Sequence, residues 1–259
     1  MKKSCTMLVS VFLCLLLFGA FLVPATAAEE NWTSFRGNPD NIARTDTALP
    51  LPDAAVLSYR YSLKASDDWA TNVSEPLFYD GHLVIAVGNE LLLLDVKGNV
   101  ANRFALSSLI GYNCRLAIAD GKAIVPLSDA SVQAVDLDTG NTVWHTQPVV
   151  TTDANGATQY HSMQSAIAFD GEYLYVPTVC FDSVTYAPVR GELLCINAQN
   201  GDICWTYDHT QGGYNWNGAV VTDGKVVIAG QDGVVSVFDR TNGAVLDRFA
   251  LSAPVSSLV

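Results

Sequence analysis

Short apolar stretches alternate with turn-forming residues along most of the chain, and the alternation repeats. Asp-Gly turns at Asp80, Asp120, Asp170 and Asp223 are each followed by a short apolar stretch. They are 40, 50 and 53 residues apart, which is the range of a four-stranded propeller blade. Each unit therefore predicts a strand A, the Asp-Gly turn, strands B and C, a second turn and a strand D.

The second turn is clearest between Ala134 and Trp144. Apolar and β-branched residues flank Asp138-Thr139, which suits a type I turn, and Gly140 suits the left-handed position that closes it. Weaker copies end at Gly98, Gly201 and Gly243.

These units predict an all-β fold, an antiparallel β-propeller of four-stranded blades. The blades are predicted at residues 74–104, 114–147, 164–208 and 217–250 of a propeller segment covering residues 55–259. Val56 to Leu63 alternates at period two and predicts a single strand D, and Leu251 to Val259 resembles the start of a strand A. Four blades with an unpaired edge strand at each end predict an incomplete ring, truncated at the C-terminus of a longer parent.

The N-terminal residues predict a targeting segment and not a propeller blade. Lys2 and Lys3 precede an apolar run, and small residues end at Ala27, so residues 1–27 predict a secretory signal peptide and not a membrane span. Residues 28–54 are polar, aromatic and rich in turns, which predicts an extended arm. We therefore expect a secreted or extracytoplasmic protein, in a bacterial cell envelope or outside the cell.

Charge excludes one class of partner. The chain has 14 basic and 26 acidic residues and a net charge of −12. Removal of Lys2 and Lys3 with the signal leaves 12 basic residues, so the mature net charge is near −14. Because phosphate binding needs basic patches, a nucleic-acid partner is not expected.

Two insertions break the repeat, and they predict where a partner binds. Thr151 to Met163 lengthens the link from the second strand D to the third strand A, and Cys180 to Arg190 lengthens the link between the third unit's strands B and C. In an up-and-down blade both kinds of link leave the sheet on one face. The starts of the A strands lie beside that face, where polar and aromatic residues predict a ligand site, although a channel mouth is polar whatever its function. The candidates are Asn72, Glu75, Asn113, Arg115, Tyr160, His161, Gln164, Tyr214, Asn215, Trp216 and Asn217.

Four cysteines follow the signal, and four allow three full pairings. If Leu137 faces Asn141 across its turn, the third unit pairs Ile196 with Cys204 and Cys195 with Trp205. Cys195 and Cys204 then point to opposite faces of the sheet. A Cys180–Cys195 disulfide on adjacent strands is the better candidate, and four buried free thiols are the alternative.

No metal or catalytic motif stands out. Asp136, Asp138 and Gly140 resemble the start of a calcium loop, but the twelfth position is Gln147 instead of a bidentate Glu, so we expect a structural turn. The four histidines show no zinc spacing and are expected in loops or at the surface.

With the repeat established, Ala134, Asp136, Thr139, Gly140 and Trp144 resemble the tryptophan-docking motif of the pyrroloquinoline-quinone (PQQ) repeat family. Gly201 and Trp205 keep part of this motif in the third unit, and Trp32 to Asn41 resembles the opening of the exported, BamB-like branch. The resemblance implies that Trp144 and Trp205 pack between neighbouring blades.

The family contains both quinoprotein dehydrogenases and the non-enzymatic assembly protein BamB. The resemblance implies PQQ and Ca²⁺ only for the dehydrogenases, which typically carry a vicinal Cys-Cys pair that this chain lacks. We therefore predict a non-catalytic scaffold without cofactor or metal, which binds a protein, peptide or cell-surface glycan. A PQQ-dependent dehydrogenase is the alternative.

Overall fold

The computed structural model of the chain describes residues 31–37, 71–153 and 155–253. In these ranges all regular elements are β-strands. The predicted signal peptide and the strand at Val56 to Leu63 lie outside the described residues, as do most of the arm and the end of the chain.

The strands form four antiparallel sheets, in each of which strands A to D follow one another in chain order. Blade 1 contains β1 (Leu77–Tyr79), β2 (His82–Val87), β3 (Glu90–Leu94) and β4 (Val100–Ala105). Blade 2 contains β5 (Ala117–Ala119), β6 (Lys122–Pro126), β7 (Val132–Asp136) and β8 (Thr142–His145).

The first insertion adds a separate hairpin of β9 (Val150–Thr152) and β10 (Thr158–Tyr160). Blade 3 contains β11 (Ala168–Phe169), β12 (Tyr173–Pro177), β14 (Pro188–Asn197) and β15 (Ile203–His209), and the short β13 (Cys180–Phe181) pairs with the start of β14. Blade 4 contains β16 (Val220–Thr222), β17 (Lys225–Ala229), β18 (Val234–Asp239) and β19 (Val245–Ala250).

The A strands stand side by side, since β1 contacts β5, β5 contacts β11 and β11 contacts β16. Consecutive blades therefore fan around one axis, and within the described residues they do not close a ring, as predicted. The described part of the arm docks near that axis: the Trp32 backbone pairs with Phe78, and the Ile118 N–H donates to the Thr33 carbonyl oxygen at 2.7 Å.

The Asp-Gly turns follow the geometry that their residues favour. Asp80 and Gly81 both have positive φ, +45° and +75°, as a two-residue type I′ hairpin requires. Blades 2 and 4 repeat this arrangement. In blade 3 the turn is longer, because Phe169 pairs with Leu174, and Gly171 takes the positive φ there while Asp170 does not.

Every C-to-D hairpin contains a bulge just after its turn. In blade 2, Val135 pairs with Thr142 but Ala134 pairs with Trp144, which leaves Val143 as the extra residue. Blade 3 follows the same pattern, so Ile196 pairs with Ile203 and Cys195 with Trp205. The predicted pairing of Ile196 with Cys204 is wrong, because a strict period of two does not anticipate an inserted residue.

The core lies between the blades, because alternate residues of each strand face opposite neighbours. Leu194 and Ile196 of β14 pack toward blade 2, whereas Leu193 and Cys195 pack toward blade 4. These side chains are at most 2% exposed. Complete burial of one leucine or isoleucine side chain contributes roughly 1.5–3 kcal/mol, so each blade is stabilised chiefly by its neighbours.

Large side chains on the outer strands join the blades at the turns. The Trp144 indole N–H donates to the Ala198 carbonyl oxygen of blade 3 at 3.0 Å, and the Trp205 indole N–H donates to the Arg240 carbonyl oxygen of blade 4 at 3.0 Å. Blade 1 lacks this tryptophan, and Phe104 lies against Gly140 of blade 2 instead.

The predicted Cys180–Cys195 disulfide is wrong. Cys180 pairs with Arg190 on β14, so Cys195 lies five residues further along the same strand. Five residues of a strand span about 17 Å, well beyond the Cα separation of about 4–7 Å that a disulfide bridges. Both thiols are free.

Candidate functional site

The B-to-C and D-to-A links form one side of the molecule, which we call the insertion face. The two insertions meet there. The backbones of Ser162 and Val179 exchange two hydrogen bonds of 2.7 and 2.9 Å, and the Cys180 thiol donates to the Gln159 side-chain oxygen at 3.4 Å. Because each insertion supports the other, both have defined positions on the blade scaffold.

His161 connects the insertions from the inside. Its side chain is only 2% exposed, and its Nδ1 lies 2.8 Å from the Thr178 hydroxyl oxygen. Burial, followed by the positive charge of Arg190, lowers the pKa of His161 to about 4. His161 is therefore neutral near pH 7. It lies in a loop, as expected, but it is buried instead of at the surface.

Exposed aromatic side chains are concentrated on the insertion face. Tyr112, Tyr160 and Trp216 lie in or beside the three D-to-A links, with 68%, 60% and 46% of their surface exposed. Tyr186 lies at the tip of the blade 3 insertion and is 77% exposed. In the described part of the chain, the other large aromatic residue with such exposure is Phe249, on the outer strand of blade 4.

The predicted polar residues at the starts of the A strands connect consecutive blades. A guanidinium nitrogen of Arg115 lies 3.5 Å from a Glu75 carboxylate oxygen, which links blades 1 and 2. The Asn113 amide donates to the Gln164 carbonyl oxygen at 3.3 Å, and the Trp216 indole N–H donates to the Gln164 side-chain oxygen at 3.1 Å. These five residues form the channel-mouth cluster.

Arg115 is the cationic member of this cluster, and it is largely enclosed. Its guanidinium lies 4.0 Å from the centre of the Phe35 ring, a cation–π arrangement. Burial lowers the pKa of Arg115, while the Glu75 carboxylate opposes that shift. The pair fixes the arm to the first two blades, and it leaves little of Arg115 for a ligand.

The other predicted candidates divide between the surface and the core. The Asn72 side chain donates to the Ile110 carbonyl oxygen at 3.1 Å, and Asn215 is half-buried with its carbonyl oxygen bonded to Gln231. Tyr214 and Asn217 are fully buried and, like His161, support the face from below. A ligand touching any of these three would require the fold to open, so their proposed place in direct contact is corrected.

A polar cavity that the sequence analysis missed lies between blades 3 and 4. Its volume is about 290 Å³, and it lies where the blade 3 D-to-A link meets the B-to-C turn of blade 4. Its lining residues are Tyr207, His209, Thr210, Gln211, Asp232, Val234, Ser236 and Arg248.

His209 and Asp232 form the inner wall of this cavity. His209 is the last residue of β15 and is 6% exposed, so the expectation of a loop or surface histidine is wrong for it. Its Nδ1 accepts a hydrogen bond from the Gly213 N–H at 3.2 Å. The other ring nitrogen lies 3.3 Å from an Asp232 carboxylate oxygen. A side chain at Gly230 would collide with both groups. Gly230 was the available signal, because it allows this close approach.

Arg248 forms the outer wall. It contacts the Tyr207 hydroxyl group, and its guanidinium lies 5.4 Å from the centre of the Tyr207 ring. The cavity thus combines one guanidinium, one carboxylate and several hydroxyl groups, which suits a polar group of a partner molecule. Among the residues that the structure describes, no three His, Cys, Asp or Glu side chains gather as metal ligands would.

Most of this chain matches the sequence model of one protein family. Residues 60–244 match the family described as "Outer membrane protein assembly factor BamB", a stretch that contains nearly all four blades. The chain belongs to this BamB family. Its PQQ-like repeats and its antiparallel propeller blades are therefore both established.

A BamB protein of Yersinia pestis is 26% identical to this chain over 127 residues, which is 49% of the chain and 29% of the relative. The chain therefore spans less than a third of that relative's length. This relative bears the name "Outer membrane protein assembly factor BamB".

Solved structures with the same fold include quinoprotein dehydrogenases. A europium-containing methanol dehydrogenase superposes with a TM-score of 0.65 at 13% identity, covering 89% of this chain and 50% of its own. A quinohemoprotein alcohol dehydrogenase of Pseudomonas putida HK5 gives 0.63 at 14% identity, covering 87% and 40%. At such identities the likeness shows the fold alone.

Membership of the BamB family agrees with the scaffold that the residues build. The described residues include no helix long and apolar enough to cross a membrane.

Proposed function

We propose that the chain is an exported, non-catalytic β-propeller scaffold that binds a protein or peptide through its insertion face. The observation that carries this proposal is the position of Tyr112, Tyr160, Tyr186 and Trp216, all exposed and all in links on that face. Exposed aromatic groups on a defined surface are typical of protein recognition, because they bury much apolar area with few rotatable bonds.

Aromatic groups, more than charges, provide the binding chemistry of the insertions. The Asp153 carboxylate accepts hydrogen bonds from two backbone N–H groups of its own turn, both at 2.8 Å. Asp182 does the same for Val184 and Thr185 at 3.0 and 2.7 Å. These acids shape the two insertion tips, so their charges are already engaged. The Arg190–Asp208 pair, at 2.7 Å, is likewise satisfied internally.

The family supports both the class of partner and the location. The relative from Yersinia pestis is named for the assembly of outer membrane proteins, so a protein partner in a cell envelope is the natural expectation. A signal peptide at residues 1–27 fits export to that location. In this proposal the scaffold acts without PQQ or a metal ion.

The test is a comparison of capture from cell-envelope extracts. Wild-type chain and a Tyr160→Ser/Tyr186→Ser/Trp216→Ser variant are immobilised, and the bound proteins are identified by mass spectrometry. We expect the variant to capture at least tenfold less of the specifically bound proteins than the wild type. Removal of several aromatic contacts costs more than about 1.4 kcal/mol of binding free energy.

The matched control is Val96→Ser, because Val96 is 62% exposed on the opposite side, in the C-to-D turn of blade 1. It should bind like the wild type. Replacing residues 182–187 with a two-residue turn should act like the triple variant without unfolding the sheets. Equal capture by all four proteins would assign binding to another surface.

A quinone-dependent dehydrogenase is the second candidate, because two solved structures with this fold are named a quinohemoprotein alcohol dehydrogenase and a methanol dehydrogenase. Addition of PQQ and Ca²⁺ to the chain, followed by cofactor absorbance and dye reduction with an alcohol, separates the two functions. A scaffold gives neither signal, whereas saturable dye reduction would replace the scaffold proposal.

A further inference from the structure

Cys195 and Cys204 lie opposite each other in the C-to-D hairpin of blade 3. Cys195 pairs with Trp205 and Ile196 pairs with Ile203, so Cys204 is the extra residue of the bulge. At a bulge, two residues of one strand share the place opposite a single residue of the other. The backbone therefore brings Cys204 next to Cys195, on strands about 5 Å apart.

The side chains also meet on the same side of the sheet. The Cys204 thiol is close enough to contribute to the raised pKa of the Cys195 thiol, and both thiols raise the pKa of Tyr173, which packs on the blade 4 side. This arrangement reverses the expectation that they point to opposite faces, because the bulge rotates Cys204 out of the strict alternation. Cys195 is fully buried, whereas Cys204 is exposed.

We propose that Cys195 and Cys204 are a redox pair that forms an intramolecular disulfide on reaction with a small-molecule disulfide such as oxidised glutathione. The spacing of paired strands falls within the Cα range of about 4.4–6.8 Å that a disulfide bridges. The proposal concerns covalent chemistry within blade 3 and is independent of the partner-binding surface.

Exposure decides the order of the two steps. The Cys204 thiolate attacks one sulfur of glutathione disulfide, which forms a mixed disulfide and releases the first glutathione thiolate. Cys195 then loses its proton and attacks the Cys204 sulfur, which releases the second glutathione. The chain loses two protons and two electrons, and one glutathione disulfide becomes two glutathione thiols.

The second step is the slower one. Burial, followed by the neighbouring Cys204 and Asp170, raises the pKa of the Cys195 thiol, so its thiolate is scarce at neutral pH. Bridging should accelerate as the pH rises. The titratable and charged groups that face Cys195 are Cys204, Asp170, Arg240, Tyr173 and Tyr175.

Tryptic peptide mapping tests the bond directly. Cleavage after Arg190 and Lys225 gives one peptide that contains both cysteines, while Cys114 and Cys180 fall in others. The folded chain is incubated with glutathione disulfide at pH 8, alkylated and digested. We expect the peptide 191–225 to lose two hydrogen atoms and to resist alkylation until it is reduced.

Cys195→Ser should stop after the first step and retain one glutathione on Cys204. Cys204→Ser changes an exposed side chain, so it should fold normally and yield no bridged peptide. Cys114 and Cys180, both 1% exposed, should stay unmodified. A wild-type peptide that remains glutathionylated or fully reduced, or a bridge to Cys180, would overturn the proposal.

Discussion

At the scale of single residues, a glycine under an aromatic ring recurs at each interface between blades. Gly140 lies against Phe104, Gly201 against Trp144 and Gly243 against Trp205. All three glycines have φ between +69° and +78°, so the position demands a left-handed backbone as well as free space. One residue thus ends a turn and receives the neighbouring blade.

A comparison of Gly201→Ala with Gly224→Ala separates the need for a left-handed backbone from the need for free space. A methyl group at Gly201 would lie 2.8 Å from the Trp144 ring, whereas one at Gly224 would meet nothing within 4 Å. The two φ values, +78° and +71°, are similar. We expect Gly224→Ala to lower the free energy of unfolding by about 1 kcal/mol, and Gly201→Ala by a further 1–3 kcal/mol, roughly the penalty of overpacking.

Urea denaturation of both variants measures the difference. Trp144 fluorescence should also shift to the red in Gly201→Ala, because the ring must move. Equal destabilisation of the two variants would mean that backbone strain in the turn, and not contact with the Trp144 ring, is the reason why the turn requires glycine at position 201.

His161 makes the support of the insertion face depend on pH. Its pKa in the folded chain, about 4, lies below the ordinary value of 6.5, so the unfolded chain takes up the proton first as the pH falls. Stability is fully present above pH 6.5, decreases toward pH 4 and then levels off. The loss attributable to this group is about 3 kcal/mol.

Measurement of the free energy of unfolding from pH 7.5 to 4 tests this. His161→Gln removes the titrating ring, so the free energy of unfolding should fall less between pH 7.5 and pH 4, by about the loss given above. A His161→Gln curve as steep as that of the wild type would assign the pH dependence to other groups.

At the scale of elements, the blades are also joined by ion pairs between their turns. Arg240 of the blade 4 C-to-D turn contacts Asp170 of the blade 3 A-to-B turn, and it lies 2.9 Å from a Glu172 carboxylate oxygen. Burial would raise the pKa of Asp170, but Arg240 and its other hydrogen-bond donors hold it below the ordinary value. The longer turn of blade 3 supplies Glu172 to this contact.

Arg240→Ala should lower the free energy of unfolding by about 1–3 kcal/mol, because it leaves the largely buried Asp170 carboxylate without its cation. Arg103→Ala is the control, since it removes an exposed pair with Glu90 at 2.9 Å and should change stability by at most about 1 kcal/mol. Chemical denaturation compares them. Equal effects would show that the turn contact is no stronger than a surface pair.

The elements themselves could be predicted from sequence because their signals are local. Asp-Gly and the closing glycines fix turns within a few residues, whatever surrounds them. The bulge after each C-to-D turn could not be read from the same pattern, since apolar alternation does not reveal an inserted Cys204. The shapes of the two insertions also escaped prediction, because they depend on contacts such as His161 with Thr178.

At the scale of the whole molecule, the repeat spacing was sufficient to predict four blades and an open ring. The location of exposed aromatic residues on one side followed from the order of the links. Burial of Tyr214, Asn217 and His161 did not, since it arises where separate blades meet. The cavity at His209 and Asp232 was missed for the same reason: its walls come from two blades.

The docked tryptophans give two of the three interfaces between the blades an optical signal of their own. Trp144 reports on the boundary between blades 2 and 3, and Trp205 on the boundary between blades 3 and 4, because each indole donates its N–H to the next blade. In variants that keep only one of these two tryptophans, separation of the two blades at that boundary would shift the fluorescence emission of the tryptophan to the red. The order in which the blades part could then be followed one boundary at a time.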